Sequence, residues 1–176
     1  MTIARHQPIH RLALRVYYED TDAGGVVYHA RYLHFAERAR TEWLRTGWPQ
    51  QSADLRAQGM AFVVHHLNAT YHRPARLDEL VMVSSWVDYH RPSRLIMTQQ
   101  IHRADDQPMG ALSAGQQAMV SGAGHSGSSG DAGDAGDTGD SGSSAKTLLV
   151  SLSVTLALVK MDSGKPQRLP DWLVGG

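Results

Sequence analysis

The chain has 176 residues, a formal net charge of zero at pH 7, 41% hydrophobic content and no cysteine. That is enough apolar sequence for one domain with a real core. Neutrality argues against a nucleic-acid partner, and the missing cysteine excludes disulfides, thiolate zinc sites and a Cys nucleophile.

The predicted elements begin with a strand. Leu12, Leu14 and Val16 alternate with Arg11, Ala13 and Arg15, as suits a strand with one buried face. Asp20, Thr21, Asp22, Gly24 and Gly25 follow with turn chemistry. From about Tyr28 the period changes. Tyr32, Phe35, Ala36, Ala39 and Trp43 share one helical face. Leu33 and Leu44 broaden it, so a helix covered over most of its girth by a sheet is expected. Gly47-Trp48-Pro49 reads as its stop. A second helix is expected from Gln50 to Gln58, ending at Gly59.

Three strands should follow. Ala61 to His72 places Val63, Leu67, Ala69 and Tyr71 on one face. Leu80 to Tyr89 is rich in Val, Met and Trp. Arg94 to Arg103 alternates Leu95, Met97 and Ile101 against polar residues. Short turns at Asp78-Glu79 and His90 to Ser93 imply antiparallel neighbours. Ser121 to Ser144 is almost wholly Gly, Ser, Asp and Ala. Such composition cannot bury enough apolar area to offset ordering, so a disordered insertion at about 121–145 is expected within a single domain spanning 1–176. Ala111 to Val120 fits strand, frayed helix or insertion equally. A last strand runs from about Lys146, with Leu148, Val150, Leu152, Val154, Leu156 and Leu158 on one face, and Arg168 to Val174 forms a tail. Strand, helix and several antiparallel strands make an α+β class.

The stretch Tyr17 to His29, with Glu37-Arg38-Ala39-Arg40 after it, resembles the Tol–Pal-associated acyl-CoA thioesterases of the 4-hydroxybenzoyl-CoA thioesterase branch of the hotdog fold. Phe62-Val63-Val64, Tyr71 to Asp78 and Arg168-Leu169-Pro170 continue the likeness in the same order. It covers the chain except roughly 111–146. The resemblance implies a sheet wrapped around one long helix, hydrolysis of an acyl-CoA to acid and CoA, and a homodimer or homotetramer. It also implies Asp22 as the catalytic carboxylate and the His29 backbone N–H as a partner of the thioester carbonyl. Gly24, Gly25, Val27 and Tyr28 would shape the substrate site, while Arg91 and Arg94 are candidates for the CoA phosphates. A non-catalytic hotdog protein binding an acyl chain, or a partner in envelope or lipid metabolism, is the alternative.

Residue chemistry alone leaves more open. Asp20 and Asp22 serve equally well as turn formers or caps; the resemblance separates them, giving Asp20 to the turn. The His29 side chain suits either substrate contact or a polar helix end. No metal site is expected: His29 and His34 are five apart, and His65 and His66 point opposite ways on a strand. No other cofactor is required. Gly122 to Gly127 matches G-x-G-x-x-G and Gly124 to Ser128 nearly matches G-x-S-x-G, but neither has the strand-and-helix context those motifs need. No apolar run approaches the ~20 residues that span a bilayer, and the first eight residues lack an apolar signal core. The expectation is a soluble cytoplasmic protein with no transmembrane segment, for which peripheral membrane association remains compatible. Deleting Ser121 to Ser144 should leave folding and turnover nearly intact, because loop closure costs only about 0.6 kcal/mol per doubling of length. An insoluble or more than tenfold impaired deletion variant would show that the segment is structural.

Overall fold

A computed structural model describes residues 7–104 and 147–174. The expected insertion, the ambiguous 111–120 stretch and the turn after Arg103 lie outside the described residues. The elements are β1 (His10–Arg15), a 3-10 turn (Tyr18–Asp20), α1 (His29–Gly47), α2 (Pro49–Ala57), β2 (Met60–Tyr71), β3 (Leu80–Arg91), β4 (Arg94–Arg103), β5 (Leu148–Lys160) and α3 (Asp171–Val174). The five strands form one antiparallel sheet in the order β1-β3-β4-β5-β2. The chain therefore leaves the sheet after β1, runs through both helices, and re-enters at the opposite edge with β2. This is the α+β hotdog architecture.

Strand parity builds the inner face. Val81 and Val83 of β3, Leu95, Met97 and Ile101 of β4, and Val150, Leu152 and Val154 of β5 are buried. Against them α1 places Tyr32, Phe35, Ala36, Ala39 and Trp43, the stripe expected from its 3.6-residue period. The core has two parts. One surrounds Phe35 and the first half of α1. The other gathers Trp43, Leu95, Met97, Val154 and Leu158, and draws in Trp48, Trp172 and Leu169. The C-terminal tail is thus a working part of the core, with Trp172 packed on Trp48 at 5.5 Å between ring centroids.

Three details depart from the sequence-based expectation. The helix is not enclosed over most of its girth: His34, Glu37, Arg38 and Arg45 remain exposed. α1 nevertheless stops at Gly47-Trp48-Pro49 as expected, with Gly47 its last helical residue. The helix ends because Pro49 keeps Trp48 out of the helical region (φ −143°, ψ 65°). In β2 the register shifts between Val64 and His66. That bulge changes the parity, so Met60 and Phe62, not Val63, share the core face with Leu67. It also leaves His65 and His66 both exposed instead of opposed across the strand. Gly59, in contrast, ends α2 as expected, at φ +68°.

A polar chain crosses the interior between α1 and the sheet. Gln99 lies on β4 between Met97 and Ile101 and is fully buried. Its Nε2 donates to the Ala36 carbonyl and to Ser85 Oγ, both at 3.0 Å, and its Oε1 accepts Arg40 Nη1–H at 2.7 Å. The amide thereby ties the middle of α1 to β3 and β4. The Gln99 amide has partners for its oxygen and for its nitrogen, which is the condition for burying it at little net cost.

Candidate active site

The acidic turn folds as a small hairpin. Thr21 bridges Val27, Asp22 N–H donates to the Val26 carbonyl, and Gly25 N–H donates back to the Asp22 carbonyl, at 3.0 and 2.9 Å. The three-residue loop Ala23-Gly24-Gly25 ends with Gly25 at φ +70°, the left-handed position such loops require. Gly24 has a different reason to be glycine. Its N–H donates to Asp22 Oδ1 at 2.8 Å, and a Cβ there would come within 3.1 Å of the same oxygen. The carboxylate is thus held by one oxygen. Its Oδ2 has no hydrogen-bond partner among the described residues, and Asp22 is exposed.

Asp20, two residues earlier, has the opposite character. It is only 2% exposed. Oδ2 accepts Tyr17 N–H at 2.9 Å, Oδ1 lies 3.6 Å from Arg31 Nε, and the backbone carbonyl accepts Tyr28 N–H at 2.9 Å. A single residue therefore joins the end of β1, the hairpin and the first turn of α1. Arg31 adds a bond from Nη2 to the Glu19 carbonyl at 2.6 Å.

These contacts decide which amides remain available at the head of α1. Val27 N–H donates to Ala75 and Tyr28 N–H to Asp20. Both amides are therefore engaged within the fold, and Val27 and Tyr28 can shape a substrate site only by their side chains and backbone shape. No hydrogen bond among the described residues engages the His29 amide, and no side chain caps the helix. A free N–H at the positive end of a 19-residue helix can polarise a carbonyl oxygen. The His29 carbonyl accepts Tyr71 O–H at 3.2 Å, and its ring lies 4.4 Å from that of Tyr28 and 6.2 Å from that of Tyr71, centroid to centroid.

Sequence reasoning missed Arg31, Tyr32 and Tyr71. Tyr32 Oη accepts Ala75 N–H at 2.7 Å, fixing the 75–80 segment against the helix. Burial raises its phenol above the ordinary range, and the Ala75 bond opposes this only in part, so the hydroxyl stays neutral. Its place on the buried stripe of α1 was the available signal. Asp22, Gly24, Gly25, Val27, Tyr28 and His29 come together within one loop and helix start. Arg91 and Arg94 do not join them. They flank the β3–β4 turn, at the far end of β3 from Leu80, which pairs with Arg15 at the end of β1 just before the acidic turn. Eleven strand steps at about 3.3 Å separate the two ends by about 35 Å.

A free carboxylate oxygen in the loop that leads to an unengaged helix amide is equipment for hydrolysing an activated carbonyl. Residues 24–109 match the family model of the thioesterase superfamily. An acyl-CoA thioesterase of Haemophilus influenzae is 53% identical over 90 residues, which are 51% of this chain and 66% of that protein. An acyl-CoA thioester hydrolase of Escherichia coli O6:H1 is 49% identical over 96 residues, 54% of this chain and 71% of that protein. A probable thioesterase from Bartonella henselae, of known structure, is 30% identical and aligns with 94% of this chain and all of its own, with a TM-score of 0.61. The chain belongs to the thioesterase superfamily. It is a thioester hydrolase of hotdog fold.

Asp20→Asn should lower stability by about 1–3 kcal/mol, because it weakens the ionic contact with Arg31 and places an amide N–H₂ where only acceptors are needed. Thermal melting checks this. A melting point equal to the wild type would show that Asp20 does not hold the turn.

Proposed function

We propose that this thioester hydrolase acts on acyl-CoA, converting acyl-CoA and water to a carboxylic acid and CoA, with Asp22 as its catalytic carboxylate. The observation that carries this proposal is the free Asp22 oxygen in the same small loop that leads to the unengaged His29 amide. A carbonyl oxygen directed at His29 N–H would place its developing negative charge at the positive end of α1. Carbonyl carbon and Asp22 could then share one short gap.

Two routes fit that arrangement. As general base, Asp22 takes a proton from water while the water oxygen adds to the carbonyl carbon. The carbon–sulfur bond then breaks and the thiolate takes up a proton. As nucleophile, Asp22 adds directly, expels the thiolate and forms a mixed anhydride that water cleaves. Neither route needs a metal or redox cofactor. The exposure of Asp22 suits reaction in a cleft that a second subunit closes.

The substrate class is supported by the names of the Haemophilus and Escherichia relatives. The likeness of Tyr17 to His29 to the Tol–Pal-associated, 4-hydroxybenzoyl-CoA-type thioesterases supports the narrower branch and a cytoplasmic setting. We further propose a homodimer or homotetramer. Among the described residues β2, twelve residues long, pairs only with β5 and leaves one edge open, the kind of edge that proteins cover. In such an assembly Arg91 and Arg94 would reach the CoA phosphates only from a neighbouring subunit.

Asp22→Asn should lower kcat about 10²- to 10⁴-fold with little change in melting temperature, since the exposed carboxylate contributes no core. Free-thiol release from acyl-CoA measures it, and near-normal turnover would show that another group does the chemistry. Light scattering at micromolar concentration tests the assembly; a stable, active monomer would rule it out.

A further inference from the structure

A cavity of about 220 Å³ opens between the middle of α1, α2 and the first half of β2, walled by Leu44, Leu55, Met60, Phe62 and Leu156. Arg40 also lines it, although that side chain is almost wholly buried. Nothing in the catalytic scheme uses Arg40. It lies eleven residues along α1 from His29, about 16 Å at 1.5 Å per residue.

A guanidinium carries five N–H donors. Here one bonds Gln99 Oε1 and one bonds Glu37 Oε2, at 2.7 and 3.1 Å. The remaining three have no partner among the described residues. Glu37 offsets the buried charge only in part: its side chain is 58% exposed, and its other oxygen accepts Thr41 O–H at 2.7 Å. Two more cations stand at the rim. Arg45 pairs with Glu42, whereas Arg56 has no carboxylate partner among the described residues. The result is an apolar hole with positive charge and spare donors on one wall. Planar, two-pronged donation to a carboxylate is what such a guanidinium does best.

We propose that this cavity is a second binding site, for a small aliphatic carboxylate, with the carboxylate on Arg40 and the carbon chain against Leu44, Leu55 and Phe62. The volume exceeds the roughly 150 Å³ that admits a benzene-sized molecule, so a chain of about six carbons fits. The ligand chemistry follows from Arg40 and its surroundings and does not depend on the role given to Asp22. Two sources share it: the free acid released by hydrolysis, and the ω-carboxyl of an acyl chain whose thioester sits at the head of α1.

Calorimetric titration of the full-length protein with sodium hexanoate, against 1-hexanol as the uncharged counterpart, tests the site. Hexanoate should bind about tenfold tighter or more, the value of hydrogen bonds to a charged group. Arg40→Gln should remove that preference. Leu44→Trp, which fills the cavity and keeps Arg40, should abolish binding of both. If Arg40→Gln does not fold, the Arg40 Nε–H resonance of the wild-type protein should shift with hexanoate and not with 1-hexanol. Hexanoate binding no tighter than 1-hexanol, or binding undiminished by Leu44→Trp, would overturn the proposal. A KM lower for an acyl-CoA bearing an ω-carboxyl than for its unsubstituted counterpart assigns the site to the far end of the acyl chain. Equal KM values, with hexanoate bound, assign it to the free acid. Asp22→Asn should bind hexanoate as the wild type does, so failure of the catalytic assignment remains distinguishable from failure of this one.

Discussion

The buried carboxylate of Asp20 is the constraint on which the rest of the site depends. It accepts Tyr17 N–H, faces Arg31 of α1, and its own backbone carbonyl accepts Tyr28 N–H. Remove any of these and the helix has no fixed starting point relative to the sheet. A desolvated carboxylate is tolerated only when its oxygens are engaged, and here both are. That requirement makes the connection between β1 and α1 rigid enough to present the neighbouring loop in one conformation.

The two aspartates show how position within a turn separates roles that composition does not. Asp20 points into the fold and is consumed by structure. Asp22 sits immediately before the hairpin loop, where Gly24 leaves room for its side chain and takes up one oxygen. Its second oxygen stays available because the loop is too small to bring another donor to it. The same economy operates in the backbone: Val27 and Tyr28 spend their N–H groups on Ala75 and Asp20, leaving the His29 amide as the first unengaged one on α1.

Deeper in the molecule, Arg40, Gln99 and Ser85 carry polarity through an otherwise apolar interface between helix and sheet. Replacing Gln99 by an apolar residue would leave both Arg40 and Ser85 short of a partner, so these residues act as a set. The set fixes the rotation of α1 about its axis, since Ala36 and Arg40 lie one turn apart on the same face. It also positions the Arg40 guanidinium beside the cavity at α2 and β2.

Local pattern was enough for much of this. The 3.6-residue spacing of Tyr32, Phe35, Ala36, Ala39 and Trp43 determined α1 and its buried stripe. Period-two alternation determined β1, β4 and β5, and the Gly-rich acidic turn placed Asp22 beside the helix start. These features depend on residues within a few positions of one another, so one sequence displays them. The sheet order, with β1 and β2 at opposite edges, was not legible, because pairing partners are chosen by burial of the whole layer. Nor was the β2 bulge that overturned the Val63 face, since a single extra residue is set by the partner strand. Gln99 was within reach, being of the same parity as Met97 and Ile101, yet only the position of Arg40 on the facing helix makes an inward amide stable. Arg91 and Arg94, adjacent to promising turns in sequence, lie a full strand length from Asp22, because an extended strand carries its two ends as far apart as the chain allows.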